Sequence, residues 1–278
     1  MLWGDRPDGV PVADLHPMRR LMPVLMPQRN SAAVYYHQQL DLTRTLPWLA
    51  EHSARTGVRT TLFHLVQFAM LQVLVQRPEL HRFVSGRRLY QRKRYELSYA
   101  VKKQMDDKAE MTAVKLELLP GDTFATVIAK ADAMIGQGRG ERMLPAESET
   151  ALATRLPVWM LGWLVALQRK LDAWNLLPAA LTKHDPLYAS AFLANLGSVG
   201  LDAPFHHLFE WGTVPIFVVI GRTKKAPWVN ADGGLEVHDT VDLRYTYDER
   251  IADGLYCARS LEIVRRVVEQ PEQAIDGG

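Results

Sequence analysis

Cysteine is almost missing from this chain. Cys257 is the only one among 278 residues, so no disulfide can close within the chain, and a metal site would have to be built from histidines and carboxylates. An excess of charge of one sign is missing too: the formal net charge is +2, too small for this length to call for nucleic acid or a strongly acidic partner. There is no long apolar run. The stretch Val158 to Leu167 spans 10 residues, whereas a helix that crosses a bilayer needs about 20. The start, M-L-W-G-D-R-P-D-G-V-P, has no basic region followed by an apolar one, so no secretory signal is expected. With a single cysteine, the simplest expectation is a reducing, cytoplasmic setting. No GxxxxGK[ST] phosphate loop occurs, which leaves nucleotide hydrolysis without support. No internal repeat or low-complexity tract is found.

What is present is an ordinary globular composition, 47% hydrophobic and 23% charged, sufficient for a sizeable core. Residues 1–14 read as an extended arm rich in Gly, Pro and Asp, and a short basic helix interrupted by Pro23 follows around Met18 to Leu25. The β-branched and aromatic residues from Ser31 to Leu42 predict a strand, and a helix is expected from Thr43 to Gly57. Thr61 to Val75 is apolar on almost every side, as in a buried helix or one at a subunit contact. Phe83 to Lys103 turns at Gly86 and runs on as one or two strands, and Met111 to Leu119 alternates as a strand does. Asp122 or Thr123 can cap the next helix. Gly136 to Glu149 reads as a loop, and Pro157 to Leu181 as a helical stretch carrying Trp159, Trp163 and Trp174. Strands are then expected at Tyr188 to Leu196, Val214 to Ile220 and Val241 to Tyr247, with a turn at Asp232-Gly233-Gly234 and a last helix after Asp253. Helices and strands alternate without a βαβ rhythm, which predicts an α+β layered architecture.

Four segments then agree, in order, with one known family. Y-D-E-R-I-A-D-G (Tyr247 to Gly254) is similar to the D-H-R-x-x-D-G motif of the dihydrolipoamide acyltransferase cores of 2-oxoacid dehydrogenase complexes and of the related chloramphenicol acetyltransferases. A-F-L-A-N-L-G-S-V-G (Ala191 to Gly200) resembles their T-F-T-I-S-N-L-G strand. P-M-R-R-L-M (Pro17 to Met22) resembles their opening helix, and V-V-I-G-R-T-K-K (Val218 to Lys225) a later core strand and turn. The resemblance covers residues 15–271, with a helical insertion at about 150–183 and a tail at 272–278. It implies a chloramphenicol acetyltransferase-like sandwich, a mixed β-sheet with helices packed on it. It further implies a homotrimer with its active site in a channel between subunits, and coenzyme A or acyl-coenzyme A as substrate with a small-molecule acyl acceptor.

Carried across residue by residue, the resemblance puts Glu249 where the family has its His base and Ala194 where it has the Ser that supports the oxyanion. Asp253 and Gly254 keep the family's D-G. The Asp implies a structural role, with Arg19 as its candidate partner, although Asp253 could equally be the N-cap of the last helix. The loss of an oxyanion donor typically costs about 100- to 1000-fold in turnover, and the loss of the base a factor of order 100 to 10,000. Glu249 serves as a base if burial raises its pKa, with Arg250 opposing that shift if it turns inward; otherwise it forms a structural ion pair. Asn195 or Ser198 is a substitute oxyanion donor or a turn-stabilising residue.

Several side chains have two readings each. His206 and His207 line the channel or pack. His64 reads as a satisfied core histidine, and Cys257 as a small buried hydrophobe rather than a nucleophile. Two basic clusters, Arg87, Arg88, Arg92, Lys93 and Arg94 and then Arg222, Lys224 and Lys225, could attract the phosphates of coenzyme A; the second is the better candidate because it follows a core strand, and the first otherwise reads as a solvated hairpin face. The tryptophan-rich insertion at 157–181 packs into the core or trimer, touches a membrane surface, or roofs a channel. No metal, lipoyl attachment site or nucleic acid is expected, and the tail lacks the family's leucine-rich ending, which favours a free trimer over a cage. Two functions follow: a stand-alone acyltransferase moving an acyl group between coenzyme A and a hydroxyl, amine or thiol acceptor, or a catalytically lapsed trimer that binds ligands or scaffolds partners.

Overall fold

A computed structural model describes residues 4–103, 111–140, 148, 151–230 and 232–277. The elements are β1 (Gly9–Pro11), α1 (Pro17–Leu25), β2 (Ala33–Asp41), α2 (Thr45–Thr56), α3 (Leu62–Gln76), β3 (Arg82–Ser85), β4 (Arg88–Arg92), β5 (Tyr95–Lys102), β6 (Met111–Leu118) and α4 (Phe124–Arg139). They continue with α5 (Val158–Ala173), α6 (Ala179–Lys183), β7 (Ala191–Asn195), β8 (Ile216–Ile220), β9 (Lys224–Val229), β10 (Leu235–Asp248) and α7 (Gly254–Glu269). The main sheet runs β2-β10-β8-β7-β5-β6, with β9 paired to β10, and a small sheet runs β1-β4-β3. Neighbours are antiparallel except at β5-β7 and β7-β8, which are parallel. The α+β mixed sheet with helices packed on it is therefore as the residues implied.

Strand alternation divides the sheet into two faces. On one, Leu193, Val218, Leu243, Tyr245 and Tyr247 join the main core with α3, α4 and α7. On the other, Phe192, Phe217 and Val219 form a smaller cluster under the segment that carries Ala203 and Leu208. α3 is buried almost all round between the sheet and its neighbouring helices, in keeping with its lack of a polar side; each fully buried leucine there contributes about 1.5–3 kcal/mol. Caps set the helix ends. Thr61 accepts from the His64 amide, Thr123 from that of Thr126, and Gly57 closes α2 in the left-handed conformation.

Several boundaries differ from expectation. The N-terminal arm is held in place: β1 pairs with β4. Pro23 sits inside α1 without ending it, at the cost of its own backbone hydrogen bond. Gly136 to Arg139 belong to α4 rather than to a loop; the rest of that expected loop lies mostly outside the described residues. β10 starts earlier than expected, extended by its pairing with β9. The tail is a helical turn tied to α2 through Trp48 and Arg55, which both bond Asp276.

The helical insertion is α5 and α6, separated where Asn175 takes a positive φ of 58°. Asp172 anchors α5 at its C-terminal end. Arg6 donates to the Asp172 carbonyl at 2.8 Å and to its carboxylate at 2.7 Å, and also binds Asp8 at 2.8 Å. Burial opposes the charge of Arg6, but the two carboxylates outweigh it and hold its pKa above the ordinary value. Gly86, at the β3–β4 turn, abuts the end of the same helix. A Cβ there would meet the Ala173 carbonyl oxygen at 2.0 Å, so only glycine fits. The rest of α5 is largely exposed: Trp159 and Trp163 are 75% and 62% accessible. Among the described residues no helix is long and apolar enough to cross a membrane.

Candidate functional site

The turn after β10 carries the motif, and its backbone is fixed from both sides. The Glu249 amide donates to the Ala32 carbonyl at 2.9 Å, and the Glu249 carbonyl accepts from the Arg19 guanidinium at 2.7 Å. Its half-buried carboxylate has no hydrogen-bond or ion-pair partner among the described residues. No ion pair of the kind expected for a vacated site forms at Glu249 among the described residues. Arg250 does turn inward, but toward Asp248, which it grips with two bonds of 2.8 and 2.6 Å while it also donates to the Met26 carbonyl. Both side chains are nearly inaccessible, a charge pair that stiffens the turn.

Asp253 holds both expected positions at once. It caps α7 by accepting from the Tyr256 amide at 2.8 Å, and it lies 3.8 Å from the Arg19 guanidinium. The cap is the stronger of the two contacts, because the ion pair is long and the Asp253 side chain is 63% exposed. Cys257, in the first turn of α7, is buried, and burial pushes its thiol up to about 11, so it is a protonated, inert group beside the Tyr247 hydroxyl. Burial likewise raises the Tyr247 phenol, with Cys257, Glu249 and Asp253 adding to the shift.

A cavity of about 270 Å³ opens between the sheet, α3 and α7, and its wall is mostly apolar. Tyr247 and Gly254, which bracket Glu249 in sequence, line it together with Cys257, Met70 and Val264. A cavity of this kind accepts a hydrocarbon group.

Ala194 lies elsewhere. It pairs with Val219, which pairs with Arg244, whereas Tyr247 pairs with Ile216. That register puts Ala194 two strands across and three residues down from Tyr247, roughly 14 Å away at standard strand spacings and farther from Glu249. The two motif positions therefore do not meet within one chain. Asn195 follows Ala194 on a strand and so faces the opposite side of the sheet. Its side-chain oxygen accepts from the Ser198 amide at 3.3 Å and Ser198 donates to the Asn195 carbonyl at 2.7 Å, so both serve the turn.

The remaining candidates are placed as follows. His206 stacks on Phe217 with ring centroids 4.0 Å apart and on His207 at 4.5 Å, and burial lowers its pKa; both rings belong to the packing of the smaller cluster. Arg222 pairs with Asp202, Lys224 with Asp242 at 2.6 Å, and Lys225 with Asp239. That basic cluster is thus neutralised by its own chain. The hairpin cluster is not a uniformly solvated face, because Arg92 is buried and donates to Thr213 at 2.8 Å. His64 is only half satisfied: one ring nitrogen meets Asp132 at 3.2 Å and the other has no partner among the described residues. No cluster of three or more metal-ligating side chains occurs among the described residues. Arg29, Asp248 and Tyr247 were not singled out from the sequence. The D-E-R triplet was the available signal for Asp248, since a carboxylate two residues before an arginine can fold back onto it.

Residues 179–275 match the family described as 2-oxoacid dehydrogenases acyltransferase (catalytic domain). In fold the chain belongs with these acyltransferase cores and with chloramphenicol acetyltransferase. A probable dihydrolipoamide acetyltransferase from Listeria monocytogenes is 14% identical, with a TM-score of 0.62 over 93% of this chain and 94% of that one. The cubic core of a pyruvate dehydrogenase multienzyme complex is 15% identical, with a TM-score of 0.61 over 95% and 94%. A chloramphenicol acetyltransferase is 10% identical, with a TM-score of 0.55 over 91% and 96%. A search of curated proteins by sequence finds no match.

Proposed function

We propose that this chain is an acyltransferase of the dihydrolipoamide acyltransferase type, moving an acyl group from coenzyme A to a hydroxyl, amine or thiol, with Glu249 as the base. The observation that carries this reading is the state of Glu249: its backbone is pinned at both ends while its carboxylate is left without a partner. The apolar cavity bordered by Tyr247 and Gly254 supports it as the place for the acyl chain. Because Ala194 and Glu249 lie far apart in one protomer, the complete site needs a second copy, in keeping with a trimer.

In this reading the Glu249 carboxylate takes the proton of the acceptor as its oxygen, nitrogen or sulfur attacks the thioester carbonyl. The tetrahedral intermediate then expels the coenzyme A thiolate, which recovers the proton from Glu249. The oxyanion is less well served than in the family, since Ala194 offers no donor and Asn195 is engaged in its own turn. That deficit favours the second reading, a lapsed enzyme that binds acyl ligands without turnover.

The test is release of free thiol from acyl-coenzyme A donors of graded chain length, with Glu249→Gln alongside. Turnover that falls by a factor of order 100 or more in the variant, at unchanged thermal stability, supports Glu249 as base. Activity untouched by the substitution removes it from that role. Absence of thiol release from every donor, with coenzyme A still bound, leaves the lapsed enzyme.

A further inference from the structure

A second cavity, of about 230 Å³, lies between the β3–β4 turn, the C-terminal end of α5 and the segment around Glu210 and Gly212. Its character is opposite to that of the apolar one. Arg29, Arg87, Arg169 and Arg250 line it, against the carboxylates of Asp172 and Glu210. Both carboxylates are already engaged. Asp172 holds Arg6 and Ser85, and Glu210 accepts the Arg29 and Asn30 amides at 3.2 and 3.0 Å.

The cations are less well matched. Arg29 and Arg250 are buried and share one nearby carboxylate, Asp248, which Arg250 grips directly while Arg29 stands 4.0 Å away. Arg29 donates instead to the Gly212 carbonyl at 2.8 Å and to that of Phe209, and neutral oxygens do not cancel its charge. Burial accordingly lowers its pKa despite Asp248. Arg87 and Arg169 have no ion-pair partner among the described residues, although both border the cavity. Arg87 occupies a backbone position of positive φ, 62°, where glycine or asparagine is favoured, so a large cationic side chain stands there against local preference. Tyr188 is 2% exposed and lines the same space, and its hydroxyl has no hydrogen-bond partner among the described residues.

We propose that this cavity binds the phosphate group of a small phosphorylated ligand, with Arg87 and Arg169 as the clamp and the Tyr188 hydroxyl as a neutral donor. Donors here come from the hairpin, from α5 and from the segment before β7. A tetrahedral oxyanion can use three directions of approach, whereas a planar carboxylate is best served by one guanidinium fork. The clamp stands apart from the acyl-transfer reading, since Arg87, Arg169 and Tyr188 have no part in the Glu249 turn, although Arg250 of that turn borders the same cavity. It also gives the insertion a purpose: α5 supplies one arm of the clamp, and its anchor at Asp172 forms part of the wall.

The test is calorimetric titration of the full chain at low salt, where exposed arginines are least screened, using inorganic phosphate and pyrophosphate as probes. Saturable binding of pyrophosphate, weakened about tenfold or more by Arg87→Ala with Arg169→Ala and less by Tyr188→Phe, is the expected result. Arg87→Lys with Arg169→Lys keeps the charge, loses the forks, and falls between the two. Coenzyme A and succinate are the further arms. Loss of coenzyme A binding in parallel with pyrophosphate identifies coenzyme A as the source of the phosphate; coenzyme A affinity unchanged in the alanine variant points to another phosphorylated molecule. No saturable binding of either probe, equal binding by the alanine variant, or succinate binding as tight as pyrophosphate overturns the proposal.

Discussion

The turn that carries Glu249 and the helix that carries Trp163 are treated in opposite ways by the same chain. Around the turn almost every polar backbone group is tied: Ala32 and Arg19 hold Glu249, Asp248 and Arg250 lock each other, and Asp253 starts α7. Helix α5 is apolar along most of its length, yet it is anchored chiefly at its C-terminal end through Asp172 and otherwise lies exposed. A helix without a polar side is ordinarily buried. The turn is therefore finished within one chain, whereas the helix awaits something that covers it.

The largest effect should come from the lock beneath the turn. Arg250→Ala leaves Asp248 buried beside only the more distant Arg29, and breaking such a pair costs about 3–5 kcal/mol. Denaturant unfolding reads this directly. A loss below about 1 kcal/mol would mean that the turn is not braced as described.

Next comes acidification, which should weaken the packing at the start of the β3–β4 hairpin. His81, buried and stacked on Tyr95, ties the β3–β4 region to Ser190. Burial, helped by Arg92, lowers its pKa to about 4. Its ordinary value is about 6.5, so between these limits the unfolded chain binds the extra proton. Stability is then full above about pH 6.5 and declines as the pH falls toward 4, by about 3 kcal/mol in total. His81→Gln should flatten that part of the stability profile. An unchanged slope would remove His81 as its source.

Smaller still is the cap. Asp253→Ala should cost about 1 kcal/mol, and Asp253→Asn much less, because asparagine caps equally well. If asparagine is as damaging as alanine in thermal unfolding, the contact to Arg19 outweighs the cap.

The residues disclosed the fold better than the site. Alternation in Met111 to Leu118, the unbroken apolar surface of α3, and the cap at Asp253 are local signals, and local physics honours them in the structure. Two things were not legible. The pairing of Lys224 with Asp242 and of Arg222 with Asp202 depends on which strands become neighbours, so a basic cluster in sequence becomes a neutral surface in space. The separation of Ala194 from Glu249 is likewise a matter of register, since strand order places β8 between β7 and β10. The polar cavity draws on six segments distant in sequence, and no single stretch announces it.

The smallest expected effect is the one that decides what α5 is for. Trp163 is 62% exposed, and a substitution at a site that touches little shifts stability within about 0.5 kcal/mol. Trp163→Ser in a monomer should therefore leave the unfolding midpoint nearly unchanged. If α5 packs against another copy, the same substitution lowers stability in a way that depends on protein concentration, because subunit binding is linked to folding. If α5 instead rests on a membrane surface, wild type floats with liposomes and the variant does so less, since an indole at the interface is lost while Arg169 and Lys170 keep their attraction for anionic headgroups. A midpoint that is independent of concentration, together with no flotation of wild type, would leave both coverings without support and make the anchored end at Asp172, beside the arginine-lined cavity, the part of the helix that matters.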